Sequence, residues 1–469
     1  MKPQQGKRRG WIALMILALV ASLAAGCGSK ADNGGGSGGN AAGNEKKTEQ
    51  NGEQPKTVEI TVWDKPAPDS PLRAVKEEIF AAFDAAYPHI KVIHADETQT
   101  REKFMAAVAG GEQPTVFRPS YPDAPTYIQS GIVADITDLF DDHPEKGNFN
   151  EGALSVVTKD GRIYGVPNDM YATGLYYNKK LFANAGIAEP PKTWDEFVET
   201  AKKVMAANPG TIGFDILGMD WADWHFEYYV WQAGGDLTER QPDGTVKLMF
   251  ASEPAVTALQ FYKDLKWTHK IVQSNVLQSY DENSKDFYTG KTAMILGASD
   301  QFYGFVANGM NPEDIGFAPY PVGPAGVGPA QTGGSFWAIS PTATPEQREA
   351  AFEYIMFMMS KDVVEQTLQF QVDNGLGVNP LTVRTDVDMT KYAGSMPADV
   401  IDAINKASEN VQLEYFLKGQ LTPYVVKAIQ KVLLDENADP RAELEAAQEL
   451  AQKEVADRYN QEVLSGNTQ

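Results

Sequence analysis

Strand and helix patterns alternate in the first part of this chain, and their order constrains the fold more than any other feature. Residues 58–62 alternate apolar and polar side chains, which predicts a strand. Apolar residues then recur at helical spacing over 72–83, after an N-cap signal at Ser70-Pro71, and 90–93 form the next predicted strand. A strand, a helix and a second strand predict a βαβ unit with parallel strands, so we expect an α/β fold.

A second helix and strand of the same kind follow, with the helix over about 100–109 and the strand over 115–117. In parallel sheets of this class, ligands bind at the carboxyl ends of the strands. The side chains at those ends are therefore expected to contact a ligand: Trp63, Asp64, Arg118, Tyr121 and Asp123.

Length and charge narrow the class of protein. A chain of 469 residues has room for two or three domains. It carries 41 Lys and Arg against 63 Asp and Glu, a formal charge of −22, which argues against nucleic acid because phosphates require a basic surface. One cysteine excludes an internal disulfide and a zinc site built on several thiolates. We expect no cofactor, no metal and no nucleic-acid partner.

The N-terminal segment explains the single cysteine. Basic residues precede an apolar run over 11–25, and small residues lead into Cys27, which is the layout of a secretory signal peptide. Residues 23–27 resemble the lipobox of bacterial lipoproteins, which implies a signal peptide over 1–26, lipidation of Cys27 and attachment to the outer face of the cytoplasmic membrane. The alternative is a plain signal peptide with an incidental cysteine. Residues 27–55 are rich in Gly, Asn and Ser, which predicts a flexible linker.

Several short motifs occur in a characteristic order along the rest of the chain. They are Gly131–Ile136, Tyr164–Pro167, Leu175–Lys179, Pro191–Phe197, Gly290–Met294 and Gly333–Ile339. Together they resemble the extracellular solute-binding proteins of ABC importers, family 1, the sugar-binding group that includes maltose-binding protein. The resemblance runs from about Val58 to the C-terminal helices.

The resemblance implies two α/β lobes joined by crossovers, with the ligand in a cleft that closes by hinge motion. It places the crossovers near 167–169, 332–334 and 384–391. The N-terminal lobe would then comprise 56–167 and 334–385. The C-terminal lobe would comprise 168–333 and 386–469.

Sugar recognition requires aromatic faces for the apolar C–H surface of the ring and polar groups for its hydroxyls. Residues 221–231 concentrate aromatic and acidic side chains, and Trp221 and Trp224 are the expected contacts. By the resemblance, Trp224 matches the aromatic that stacks on sugar, and Tyr171 matches a polar contact near the hinge. The alternative is core packing, above all for Tyr228 and Trp231.

Two positions depart from the family pattern or have a second interpretation. The family commonly places an aromatic after the glycine that follows Ala293-Met294, whereas this chain has Asp300, which would supply hydrogen bonds in place of a stacking face. Trp337 lies beside the second crossover, where it either contacts the ligand or packs as an ordinary strand residue.

These features predict a non-enzymatic, monomeric lipoprotein that captures a mono- or oligosaccharide and delivers it to the permease of an ABC transporter. The alternatives are a binding protein for another solute, such as a peptide, and a tethered glycoside hydrolase using acids among Asp215, Asp220, Asp223 and Glu227. No H-E-x-x-H motif is present, and the G-x-S-x-G match at 35–39 falls in the Gly-rich linker, where no strand-to-helix elbow is predicted. A calcium loop opening at Asp281 fails because Asp286 occupies the sixth position, where glycine is needed.

Overall fold

Two long strands run through the middle of the fold and link two groups of shorter strands. The structure, a computed structural model, describes residues 57–96, 101–219 and 221–465. The predicted signal peptide, the lipidation at Cys27 and the linker 27–55 lie outside the described residues.

The strands alternate with helices along most of the described chain. The strands are β1 (Val58–Lys65), β2 (Ile90–Asp96), β3 (Val116–Phe117), β4 (Thr158–Lys159), β5 (Arg162–Ile163), β6 (Val166–Asn178), β7 (Thr238–Arg240), β8 (Val246–Leu248), β9 (Met294–Ala298), β10 (Ile315–Ala318), β11 (Ala330–Ile339) and β12 (Val411–Gln412).

The α-helices are α1 (Arg73–Ala86), α2 (Arg101–Gly110), α3 (Ala124–Gln129), α4 (Thr137–Asp141), α5 (Glu151–Val156), α6 (Lys179–Asn184), α7 (Trp194–Ala207), α8 (Ala222–Gln232), α9 (Glu253–Lys263), α10 (Tyr280–Tyr288), α11 (Phe302–Ala307), α12 (Pro345–Met358), α13 (Lys361–Asp373), α14 (Ala398–Ser408), α15 (Lys418–Leu434), α16 (Pro440–Ala451) and α17 (Asp457–Leu464). Short π-helical segments extend α9 and α16. In the described ranges, no helix is both long and apolar enough to cross a membrane.

The first lobe confirms the predicted βαβ units. β1 pairs in parallel with β2, Val58 opposite Ile90, and with β3, Val62 opposite Val116. The predicted N-cap differs, because α1 begins at Arg73 and the Ser70 hydroxyl accepts only a long bond, 3.4 Å, from the Leu72 amide. The carboxyl ends of β1 and β3 meet at one edge of the sheet, as expected.

The second lobe is built on β6, which continues past the first sheet. Its segment 173–177 pairs antiparallel with β9 on one side, and 175–178 pair antiparallel with β10 on the other. Thr193 is the N-cap of α7, and its hydroxyl accepts a hydrogen bond from the Glu196 amide at 3.2 Å. The reciprocal bond of a capping box does not form between these two residues, because the Glu196 carboxylate accepts from the Lys192 amide instead.

β6 and β11 connect the two lobes. Residues 166–172 of β6 pair antiparallel with 332–337 of β11, and the two crossovers expected near 167–169 and 332–334 lie in this paired stretch. Gly334 has φ +129°, and a Cβ there would lie 2.3 Å from the Asp169 carbonyl oxygen. Glycine is therefore required where the strands approach most closely. The lobe boundaries expected from the sequence stay a prediction.

Candidate functional site

An aromatic corner, formed by Trp221, Trp224 and Tyr280, lies on the second lobe. Trp221 precedes α8 in the left-handed conformation, φ 62°, and its side chain is 52% exposed. Its ring centroid lies 6.0 Å from that of Trp224 at 79°, and 5.1 Å from that of Tyr280, the first residue of α10. A bulky residue at positive φ is strained and persists only where its surroundings fix it. The corner presents indole and phenol faces of the kind that pack on sugar rings.

The layer beneath the corner is core. His225 and Tyr228 follow Trp224 on α8 and are buried, and Tyr228 stacks on Tyr320 with ring centroids 4.9 Å apart. Burial lowers the pKa of His225 to about 3, so the ring is neutral. Tyr228 and Trp231 therefore pack in the interior, and that alternative from the sequence is confirmed. Trp224 is partly buried, between this core and the exposed Trp221.

Polar groups lie close to the aromatic corner. Asp300 follows β9 and is exposed, and partial loss of solvent raises the pKa of its carboxyl. Burial raises the pKa of Tyr171, and the charges of Glu414 and Asp300 raise it further. Tyr171 therefore lies within electrostatic reach of two carboxylates. A phenol that donates and carboxylates that accept hydrogen bonds can together bind several hydroxyl groups.

The first lobe contributes a second polar face. The Arg118 guanidinium lies over the Trp337 ring, 5.1 Å from its centroid. The buried Tyr121 is parallel to Phe336, and the Asp169 charge adds to the burial that raises its pKa well above the usual value. Trp337 is only 1% exposed, so its ring packs within the lobe, as the strand interpretation predicted.

The residues at the end of β1 are engaged by their own lobe. Asp64 is buried, accepts a hydrogen bond from the Tyr354 hydroxyl and lies 2.8 Å from His94 Nδ1. Trp63 is partly buried and meets the ring of Phe104 edge to face at 5.9 Å. In this conformation the two side chains bind core partners, and their role as ligand contacts stays a prediction.

A cavity of about 890 Å³ lies between the two lobes. The first lobe lines it with Asp123 and its neighbours on α3, and the second lobe with β7 and residues 413–420. Arg240 spans the gap, donating to the Gln129 side chain and lying over the Phe416 ring at 4.5 Å. The volume suits a small ligand, since such sites are commonly 300–1,000 Å³.

Asp223 bonds several residues on the second-lobe side of the cavity, which we call the cavity wall. Its buried carboxylate accepts from the Tyr415 and Thr422 hydroxyls, each at 2.6 Å, and lies 4.0 Å from Lys418 Nζ. Because Tyr415 and Lys418 also line the cavity, this bonding fixes α8 against the segment that leads into α15. Asp223 is a positioning residue for the cavity wall.

The structure thus groups the predicted residues into two sets. Trp221, Trp224, Tyr171 and Asp300 come together on the second lobe, and Arg118, Tyr121 and Trp337 on the first, while Asp123 lines the cavity. The sequence patterns did not identify Tyr280 or Glu414, because neither belongs to a motif. Only the tertiary fold brings Tyr280 to the corner and Glu414 within electrostatic reach of Tyr171. The use of all these residues as ligand contacts stays a prediction.

Comparisons with known proteins bear on this arrangement. Residues 68–365, more than half of the chain, match the family described as bacterial extracellular solute-binding protein. A binding protein of Brucella abortus is 30% identical over 50% of this chain, and the matched region spans 56% of that relative. The diacetylchitobiose binding protein DasA of Streptomyces coelicolor is 26% identical over 76% of this chain and 78% of its own length.

The fold agrees with solved structures. The sugar-binding protein MalE of Xanthomonas citri superposes with a TM-score of 0.64 at 19% identity, covering 86% of this chain and 98% of that one. The predicted two-lobed binding-protein fold is therefore confirmed. On the match over 68–365, the chain belongs to the bacterial extracellular solute-binding protein family.

Proposed function

We propose that this chain captures a mono- or oligosaccharide outside the cell and delivers it to the permease of an ABC transporter. The observation that carries the proposal is the aromatic corner, whose Tyr280 lies within electrostatic reach of Tyr171 and Asp300. The 890 Å³ cavity is a neighbouring space, lined by Glu414 but by none of the three corner residues. Aromatic faces with hydroxyl and carboxylate groups meet the two needs of a sugar, an apolar ring face and a rim of hydroxyls.

The proposal includes how the chain is attached and how it is divided. Cys27 carries the lipid anchor after removal of 1–26, residues 27–55 act as the tether, and the body works as a monomer. The lobes comprise 56–167 with 334–385 and 168–333 with 386–469. The name of the DasA relative, a diacetylchitobiose binding protein, supports a carbohydrate ligand.

The glycoside hydrolase alternative is weakened by burial. Asp215, Asp223 and Glu227 are each at most 1% exposed. A pair of catalytic carboxylates must reach both sides of a glycosidic bond, which buried groups cannot do. Asp220 lies outside the described residues.

A thermal-shift screen tests the proposed function. The purified full chain is heated with a panel of neutral mono- and oligosaccharides, and with dipeptides and amino acids as the non-sugar arm. A ligand that binds only the folded state stabilises it and so raises the melting temperature. At a free ligand concentration of a hundred times Kd, the stabilisation is about 2.7 kcal/mol. We expect a sugar to give the largest shift, with no product released on long incubation. A shift with peptides alone, or release of a hydrolysis product, would refute the proposal.

A further inference from the structure

The second lobe contains buried oxygen atoms that the proposed function does not use. Asp215 is 1% exposed, and neither of its carboxyl oxygens accepts a hydrogen bond from any of the described residues. Gln278 Oε1 and Asn283 Oδ1 are also buried, and within the same described ranges neither has a hydrogen-bond donor. We refer to Asp215, Gln278, Asn283 and Asp286 as the acceptor cluster.

The fold brings these four side chains into one neighbourhood. The Asp215 amide bonds the Met294 carbonyl of β9 at 3.1 Å, and the Asp215 carboxyl lies within electrostatic reach of Asp286 and Lys291. Asn283 and Asp286 are three residues apart on α10 and therefore share a face. Gln278 Nε2 donates to Asp286 Oδ2 at 3.1 Å.

The orientations of the two amides are fixed by their nitrogen atoms. Gln278 Nε2 donates to Asp286, and Asn283 Nδ2 donates to the Ile216 carbonyl at 3.3 Å. Turning either amide over would set an oxygen against an oxygen, so both amide oxygens remain as acceptors. The Thr292 hydroxyl lies beside Asp215 but donates to the Ile212 carbonyl at 3.4 Å.

The charges in this neighbourhood do not balance. Lys291 Nζ bonds Asp286 Oδ2 at 2.6 Å, which pairs one of the two carboxylates. Among the described residues Asp215 forms no direct ion pair, so two buried carboxylates share the single Lys291 charge within their reach. A buried carboxylate whose charge is not fully offset is unfavourable. The Lys291 side chain is 53% exposed and can therefore turn into solvent without loss of packing.

We propose that the acceptor cluster binds a calcium ion. The Asp215 carboxylate, Gln278 Oε1 and Asn283 Oδ1 would ligate it, with Asp286 joining them as Lys291 turns outward. Calcium takes six to eight oxygen ligands in flexible geometry, whereas magnesium demands a tighter octahedral shell and retains water. The donor set contains no thiolate or imidazole, which disfavours zinc.

This site differs from the calcium loop that the sequence excluded. Residues 280–288 form a helix, so the segment beginning at Asp281 is no loop, and only its inward-facing members take part. Because α10 starts at Tyr280, an ion held by Asn283 and Asp286 would also steady one member of the aromatic corner. The site itself does not depend on the proposed sugar function.

Calcium titration of the full chain tests the proposal. The purified protein is stripped with EGTA, and calcium chloride is titrated in by calorimetry and in thermal unfolding, with magnesium chloride at equal ionic strength beside it. We expect one saturable calcium site per chain, a rise in melting temperature, and at least tenfold weaker binding of magnesium. Asp215→Asn should weaken calcium binding by about tenfold or more. Asp281→Asn, an exposed carboxylate on the same helix, is the matched control and should bind as the parent does.

Two results would overturn the proposal. One is the absence of a saturable calcium-specific response, which would mean that protons or water satisfy the buried oxygens. The other is an equal calcium response from Asp215→Asn and Asp281→Asn. If Asp215→Asn does not fold, Asn283→Ala serves as the second variant, and retention of full calcium affinity in that variant would likewise refute the site.

Discussion

Replacing Trp224 by alanine separates a sugar-stacking role from a packing role. Full burial would make the truncation cost about 3–5 kcal/mol of unfolding free energy. Trp224 is only partly buried, with Trp221 and Tyr280 on its open side, so we expect a loss of about 2 kcal/mol without ligand. Loss of a stacking face should also weaken sugar binding by about 2 kcal/mol, roughly thirtyfold in Kd.

The assay measures both quantities on the same variant. Urea unfolding without ligand gives the free energy, and calorimetry with the best sugar of the screen gives Kd per folded molecule. Trp267→Ala is the matched control, because that indole is also partly buried but bonds the Val432 carbonyl at 3.0 Å, outside the corner and the cavity lining. It should lose stability and keep its affinity. Normal affinity in Trp224→Ala would remove this residue from the site and make the exposed Trp221 the next candidate.

Three further predictions concern charge and attachment. Glu227 is fully buried, which raises its pKa, so the folded state keeps a proton that the unfolded state loses above about pH 4.5. The parent therefore loses stability as pH rises, and the stability advantage of Glu227→Gln over the parent should be larger at pH 8 than at pH 4. The same difference between variant and parent at both pH values, measured by urea unfolding, would contradict this. The Arg384 side chain is fully buried and bonds Asp386 and Glu145, so Arg384→Met should lower the free energy of unfolding by about 3–5 kcal/mol. Arg441→Met, which breaks the exposed ion pair with Glu253, is the control, and an equally small loss in both variants would refute the prediction. Cys27→Ala should move the protein from the membrane fraction to the medium, since each buried methylene of an acyl chain contributes about 0.8 kcal/mol, and unchanged retention would exclude the lipid anchor.

The first lobe was predictable because its signals are local. The alternation over 58–62 and the helical spacing over 72–83 are set by the burial of one face, and both elements form where expected. The resemblance placed a crossover beside Gly333-Gly334, where the close approach of β6 and β11 admits no side chain, and its use as the boundary between the lobes stays a prediction.

The candidate site was less predictable, because its partners are distant in sequence. Asp64 ends a strand as a ligand contact would, yet its carboxylate bonds Tyr354, a residue 290 positions later. Phe336 and Trp337 point to opposite faces of β11, and both are buried because the strand is covered on both faces. The sequence therefore shows no alternation of apolar and polar residues that would indicate which side chain faces a ligand. Tyr280 opens a helix without a motif, and only the fold brings it to Trp221.

A crystal structure of the chain with the best sugar of the screen tests the proposed sugar site most directly. We expect a sugar ring lying on Trp224, with protein contacts from both lobes and hydroxyl bonds to Tyr171, Asp300 or Glu414. A sugar bound on the outer surface of one lobe, away from the aromatic corner and the cavity between the lobes, would contradict it.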